Sequence, residues 1–153
     1  MATSYFLADT SSLIYAYRAG GPQLLDTYRD VLEAEGYKLA ISKTVRDEIF
    51  AGPLELEFRQ YISDQEIRTL SAPETEKNLL SDPTKFSKNA GERSLLEIAT
   101  REHAEGRNVV IWSDDKHFAS PQIQRQLQQE LPGLQTKTTA ELLDQSLRDN
   151  FIS

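Results

Sequence analysis

The sequence predicts an α/β fold: a mainly parallel central sheet of about five strands flanked by helices, built as one domain over residues 1–153. Three observations carry that expectation. Short apolar runs alternate with amphipathic stretches along the whole chain, which is the pattern of strand, crossover helix and parallel strand. The run Val109-Val110-Ile111-Trp112 is apolar at every position and follows a helical stretch, as a strand buried on both faces must. The chain has 153 residues, 39% of them hydrophobic, and shows no internal repeat and no low-complexity linker. A single domain of this size can bury a core without staples.

Taken in order, Tyr5 to Ala8 is a buried strand ending at Asp9. The hydroxyl cluster Thr10, Ser11 and Ser12 makes the turn, and Leu13, Ile14, Tyr15 and Tyr17 begin a helix. From Gln23 to Glu35 the apolar Leu24, Leu25, Tyr28, Val31 and Leu32 recur at helical spacing, and Gly36 is the stop. Tyr37 to Ser42 reads as a strand with Leu39, Ala40 and Ile41 buried. Thr44 is the expected cap of a short helix through Val45, Glu48, Ile49 and Phe50 that Gly52-Pro53 ends. Leu54 to Ile62 reads as a helix and Ile67 to Leu70 as a short strand. The stretch from Ser71 to Ala90, with Pro73 and Pro83, is the least regular part. Gly91 to Glu105 carries Leu95, Leu96, Ile98 and Ala99 on one side and is stopped by Gly106. After the strand Val109 to Trp112, closed by Ser113-Asp114-Asp115, Pro121 opens a helix as far as Leu131. Leu134 to Lys137 is the last strand, and Thr139 starts a helix with Leu142, Leu143 and Leu147.

Composition limits the chemistry. Cysteine is absent and the only histidines are His103 and His117, so thiolate or histidine-rich metal sites and a cysteine nucleophile are excluded. Oxygen ligands or hydroxyls must do the work. The 17 Lys and Arg against 24 Asp and Glu give a net charge of -7, which taken alone argues against non-specific binding to nucleic-acid phosphates. No targeting segment is read in the first residues, and no apolar stretch approaches the roughly 20 residues of a membrane span. The expectation is a cytoplasmic protein with no membrane partner.

In open parallel sheets the site lies outside the carboxyl ends of the strands. Asp9 follows the first strand, Glu48 sits one helical turn past the second, and Asp114 with Asp115 follow Val109 to Trp112. Glu92 starts a helix after Asn89-Ala90-Gly91. Any one of these is explained by the preference of acids for helix N-termini. Together they would crowd at one sheet edge and repel, unless a hard divalent cation, Mg2+ or Mn2+, is held there by oxygens. Ser11 and Ser113 would support that shell. The reaction class is metal-assisted phosphoester hydrolysis.

At these residues the chain resembles a family. Phe6-Leu7-Ala8-Asp9-Thr10-Ser11-Ser12-Leu13-Ile14 is similar to the opening of PIN-domain nucleases, and Ile41-Ser42-Lys43-Thr44-Val45-Arg46-Asp47-Glu48-Ile49 to their second motif. Ala90-Gly91-Glu92-Arg93-Ser94-Leu95-Leu96 resembles the Gly-Glu form of the third, and Trp112-Ser113-Asp114-Asp115-Lys116-His117-Phe118 the fourth. The resemblance implies a PIN-like fold, Mg2+- or Mn2+-dependent ribonuclease activity on an RNA substrate, and an antitoxin protein as partner, as in VapC toxins. It also implies that Asp9, Glu48, Glu92 and Asp115 form an acidic quartet with Ser11 as supporting hydroxyl. The chain departs from the family in three places. Its third acid is Glu92 after a glycine; its fourth motif has Ser113 in place of a threonine and doubles the acid, so that Asp114 shares or replaces the role of Asp115; and its stretch from Ser71 to Ala90 has no counterpart in the family.

Between Lys77 and Arg93 four bases (Lys77, Lys85, Lys88, Arg93) stand against two acids (Asp82, Glu92), which makes this side the expected phosphate-contacting lip. The stretch from Gln23 to Glu57 holds eight acids against four bases, so RNA should approach elsewhere. Lys43, Arg46 and Lys116 flank the acids and are further candidates for phosphate contacts, with plain surface charge explaining them equally. Trp112 reads as core, and Tyr15, Tyr17 and Tyr28 as core or interface rather than base-stacking platforms. His103 lies on a polar helix face and His117 is read as exposed and idle. The amphipathic helices at Gln23 to Glu35 and Thr139 to Leu147 offer a face for a homodimer or partner, and packing inside the domain explains them equally. Two rival functions remain. One is a non-catalytic module binding a metal or a partner. The other is an aspartate-nucleophile phosphatase, which would want a second Asp where this chain has Ser11.

Overall fold

The computed structural model describes residues 4–51, 56–64, 67–86, 89–115, 118 and 120–148. Five strands, β1 (Ser4–Ala8), β2 (Tyr37–Ser42), β3 (Arg68–Leu70), β4 (Val109–Trp112) and β5 (Gln135–Lys137), form one sheet in the order β3-β2-β1-β4-β5. Every neighbouring pair is parallel. The α/β class and the flanking helices are therefore as the sequence predicts. β1 is central because it is apolar on both faces: Phe6, Leu7 and Ala8 are fully buried, as are Val110 and Ile111 of β4 beside it.

The helices are α1 (Thr10–Ala34), α2 (Lys43–Ala51), α3 (Leu56–Asp64), α4 (Pro73–Ser81), α5 (Pro83–Phe86), α6 (Ala90–Ala104), α7 (Pro121–Glu130) and α8 (Thr139–Arg148). α1 is two helical runs joined at Gly21, whose φ of 70° and ψ of -166° break the helix where Pro22 follows. α1 contacts α8, β2 and α2, while α6 contacts α2, α4, β2 and β4. Trp112 is core, with Tyr28 of α1 edge-on to it at 5.5 Å between ring centres. The amphipathic faces of α1 and α8 are thus used within the domain. Leu25, Tyr28, Val31, Leu32 and Leu142 are buried there, and Leu143 and Leu147 stay exposed.

Three expectations are corrected. The irregular stretch at 71–90 is built largely of helices α4 and α5, with Pro73 and Pro83 each at a helix start, where a missing N–H is no loss. The cap of α2 is Ser42, whose hydroxyl accepts the Val45 N–H at 3.0 Å, and Thr44 lies inside the first turn. Of the three tyrosines, Tyr28 is buried and Tyr17 packs on Phe58 and Tyr61, but Tyr15 is 63% exposed. It lies on the opposite side of α1 from buried Leu13 and Ala16.

The strand order fixes where a site must lie. The chain winds from β1 to β3 in one direction, then crosses back to place β4 on the other side of β1. The crevice at this reversal opens at the carboxyl ends of β1 and β4, the ends that carry Asp9 and Ser113-Asp114-Asp115.

Candidate metal and phosphoester site

Asp9 both ends β1 and caps α1. One carboxylate oxygen accepts the Thr10 N–H at 2.8 Å, and the other accepts the hydroxyls of Ser113 at 3.1 Å and Ser11 at 3.4 Å. Ser113 in turn accepts the Asp115 N–H at 3.1 Å, so one hydroxyl holds the ends of β1 and β4 together. Both serines named from the sequence are in contact with the first acid.

Glu48 reaches the same crevice from α2. Its carboxylate accepts the Thr10 hydroxyl at 2.7 Å and the Gly91 N–H at the start of α6, where the helix dipole favours an anion. α2 is held against α6 by a hydroxyl chain. Ser94 donates to the Gly91 carbonyl at 2.6 Å, so the proton in its 2.6 Å contact with Ser42 belongs to Ser42. This chain sets Glu48 beside the first turn of α6, which carries Glu92, a largely buried acid.

Gly91 is required by that approach. A Cβ at position 91 would stand 3.1 Å from Glu48 Oε1 and 3.3 Å from Oε2. Gly91→Ala should therefore shift the Glu48 carboxylate while gaining about 1 kcal/mol of helix propensity. The expected outcome is a melting temperature equal to or above that of the wild type, with phosphoester cleavage reduced about 10-fold. Parallel melting and activity assays on the one variant check it.

Asp9, Glu48, Glu92 and Asp115, from four separate segments, line one open cavity of about 310 Å³ with Thr10, Ser11 and the Asn89–Gly91 turn. Burial pushes the Asp9 carboxyl above its ordinary value, with the charge of Asp115 adding to the rise and hydrogen bonds from Ser113 and Thr10 opposing it. Glu48 is exposed along much of its length, but its carboxyl end is shielded, and that burial together with the charge of Asp9 raises it too. These are the signs of acids that are partly buried and lie close to one another.

Asp114 does something different. One oxygen accepts the Thr139 N–H at 2.8 Å, and the other accepts the Ser12 hydroxyl at 2.8 Å and the Thr139 hydroxyl. Its own N–H donates to Ser12 at 2.9 Å, and Thr139 accepts the Trp112 indole N–H at 3.0 Å. Asp114 thus ties β4 to α1 and to the start of α8. Among the basic residues named from the sequence, Lys43 pairs with Glu76 at 3.7 Å, Arg46 lies 4.7 Å over the Phe50 ring, and Lys77, Lys85 and Arg93 are exposed. Lys88, Lys116 and His117 lie outside the described residues. Thr10, Ser12, Gly91 and Thr139 were not marked as site residues by sequence reasoning. The first two belong to the hydroxyl run after Asp9, which was the available signal.

The donor set is all carboxylate and hydroxyl oxygen, which suits a hard divalent ion. Among the described residues no three of His, Cys, Asp and Glu are gathered into a ready-made ligand cage. No described helix is long and apolar enough to cross a membrane.

No protein-family model matches the chain, and no curated protein does. Among solved structures, it is similar to a chain in the crystal structure of VapBC2 from Rickettsia felis bound to a DNA fragment from their promoter. The likeness has 12% identity and a TM-score of 0.45, and covers 88% of this chain and 98% of that one. At those values it carries no argument about activity.

Proposed function

We propose that the protein is a divalent-metal-dependent endoribonuclease of the PIN type, acting in the manner of a toxin restrained by an antitoxin protein. One observation carries the reading: Asp9, Glu48, Glu92 and Asp115, far apart in sequence, line a single cavity at the switch point of a parallel sheet. Asp9 and Asp115 would hold Mg2+ or Mn2+ from the β1 and β4 side, and Glu48 and Glu92 from the α2 and α6 side. When bound, such an ion activates water for attack and offsets the charge developing on the phosphate oxygens. Ser113 and Ser11 fix the rotamer of Asp9, and the Gly91 N–H and Thr10 fix that of Glu48, so that the acids are oriented before substrate arrives. RNA would enter over α4, α5 and the start of α6, where exposed Lys77, Lys85 and Arg93 meet its phosphates.

Asp114 is spoken for by Ser12 and Thr139, which leaves Asp115 as the fourth acid of the cleft. The test is incubation of the purified protein with single-stranded RNA in Mn2+ and in EDTA. Cleavage is expected in Mn2+ and none in EDTA. Mn2+ binding by calorimetry without cleavage of any RNA would instead mark a non-catalytic module.

A further inference from the structure

A second cavity, of about 380 Å³, adjoins the acidic one. It is lined by Ser11, Tyr15, Asp114, Asp115, Thr139 and Ala140, and so shares Ser11 and Asp115 with the first. Ser11 and Tyr15 are one turn apart on the same side of α1. Its volume lies within the range of about 300–1,000 Å³ typical of small-molecule sites. Tyr15 is 63% exposed, and it is the only aromatic side chain among the described residues of the lining.

We propose that this cavity is a nucleobase subsite, in which the base of a nucleotide flanking the scissile phosphate stacks on Tyr15. The inference rests on the nuclease reading above and adds to it the part of the substrate that is gripped beside the reacting bond. The charge on the cavity wall selects the occupant. Among the described residues the charged side chains that line it are two carboxylates, which disfavours a phosphate in this cavity relative to a neutral aromatic ring. The floor on the α8 side, Thr139 and Ala140, is small and leaves the tyrosine ring uncovered. Because the two cavities are contiguous through Ser11 and Asp115, a chain with its base against Tyr15 carries its adjoining phosphate toward Asp9 and Asp115. Tyr15 acts as a positioning residue, through the base.

The test uses single-stranded RNA in which one residue at a time is made abasic. Stacking on one aromatic ring corresponds to about a 10-fold effect. In Mn2+ the wild type should lose about 10-fold in kcat/KM when the abasic residue sits at one fixed position next to the cleaved bond. Tyr15→Leu should cleave intact and abasic RNA alike, with a KM raised about 10-fold on the intact strand, and Tyr15→Phe should behave as wild type. The same abasic penalty in Tyr15→Leu as in wild type, or no penalty in wild type, overturns the subsite. If no RNA is cleaved at all, the nuclease reading fails, and a binding arm decides the subsite separately. A short RNA carrying 2-aminopurine, mixed with the full chain in Ca2+, should show quenched fluorescence that Tyr15→Leu abolishes, and equal quenching by both proteins overturns it.

Discussion

Asp9→Asn is expected to lower Mn2+-dependent RNA cleavage by about 10²- to 10³-fold and, in metal-free protein, to raise the melting temperature. The two effects have one origin. Asp9 is held in a pocket where burial and the neighbouring Asp115 disfavour its charged form, and Glu48 is raised by burial and by Asp9. The folded chain therefore keeps protons that the unfolded chain has already released at the ordinary values of 3.8 and 4.5. Over that window the native state binds more protons than the unfolded one. Stability of the metal-free protein accordingly falls as pH rises through the ordinary carboxylate range up to the raised values, and levels off above them. Asparagine has the same shape, caps a helix as well as aspartate does and carries no charge, so the variant should lose the Asp9 part of that slope. Each kcal/mol of relief corresponds to about 2–4 °C in a protein of this size. Added Mn2+ should stabilise the wild type by mass action and the variant much less. Melting curves of both proteins in EDTA and in Mn2+, from about pH 4 to pH 8, check every part. A variant that melts below the wild type in EDTA at neutral pH would remove the account of Asp9 as a carboxylate held against burial and the charge of Asp115.

Much of this cleft was legible in the sequence because a buried parallel strand leaves an unmistakable mark. Val109 to Trp112 is apolar throughout and forms β4 over those same residues, and the polar residues that follow it must emerge at the sheet edge. Asp9 follows from the same logic after Phe6, Leu7 and Ala8. What could not be read is what depends on through-space partners. The prolines at 73 and 83 look alike as helix breakers and as helix starters, and only the helices behind them decide which they are. Tyr15 lies in an apolar run with Leu13, Ile14 and Tyr17, so its exposure depends on which side of α1 faces the core, and that is decided by packing. Gly91 reads as a turn residue, yet its role is to let the carboxylate of Glu48, 43 positions earlier, sit against the backbone of α6.

On the nuclease reading proposed above, the doubled acid after β4 divides into Asp114 as a structural tie and Asp115 as an acid of the cleft, and the division predicts opposite phenotypes. Asp114 accepts hydrogen bonds from Ser12, which is fully buried, and from both the N–H and hydroxyl of buried Thr139. Those donors come from 102 positions before it and 25 after it. Asp114→Ala would leave two buried hydroxyls and the first N–H of α8 short of an acceptor. Because Asp114 itself is exposed and water can reach its place, the cost falls at the low end, about 1 kcal/mol for each of the three groups, so the loss should be about 3 kcal/mol, or about 6–12 °C in melting temperature. Asp115 has its N–H on Ser113 and its side chain in the cleft wall, so Asp115→Asn keeps the backbone contact and removes the charge presented to the cavity. It should melt within about 2 °C of wild type and lose cleavage by about 10²-fold or more. The decisive measurement is the pair of variants assayed together below the melting point of the weaker one, where folded Asp114→Ala should retain metal-dependent cleavage and folded Asp115→Asn should not. The reverse pattern would place Asp114 among the acids that face the substrate and return Asp115 to the role of a charged surface turn.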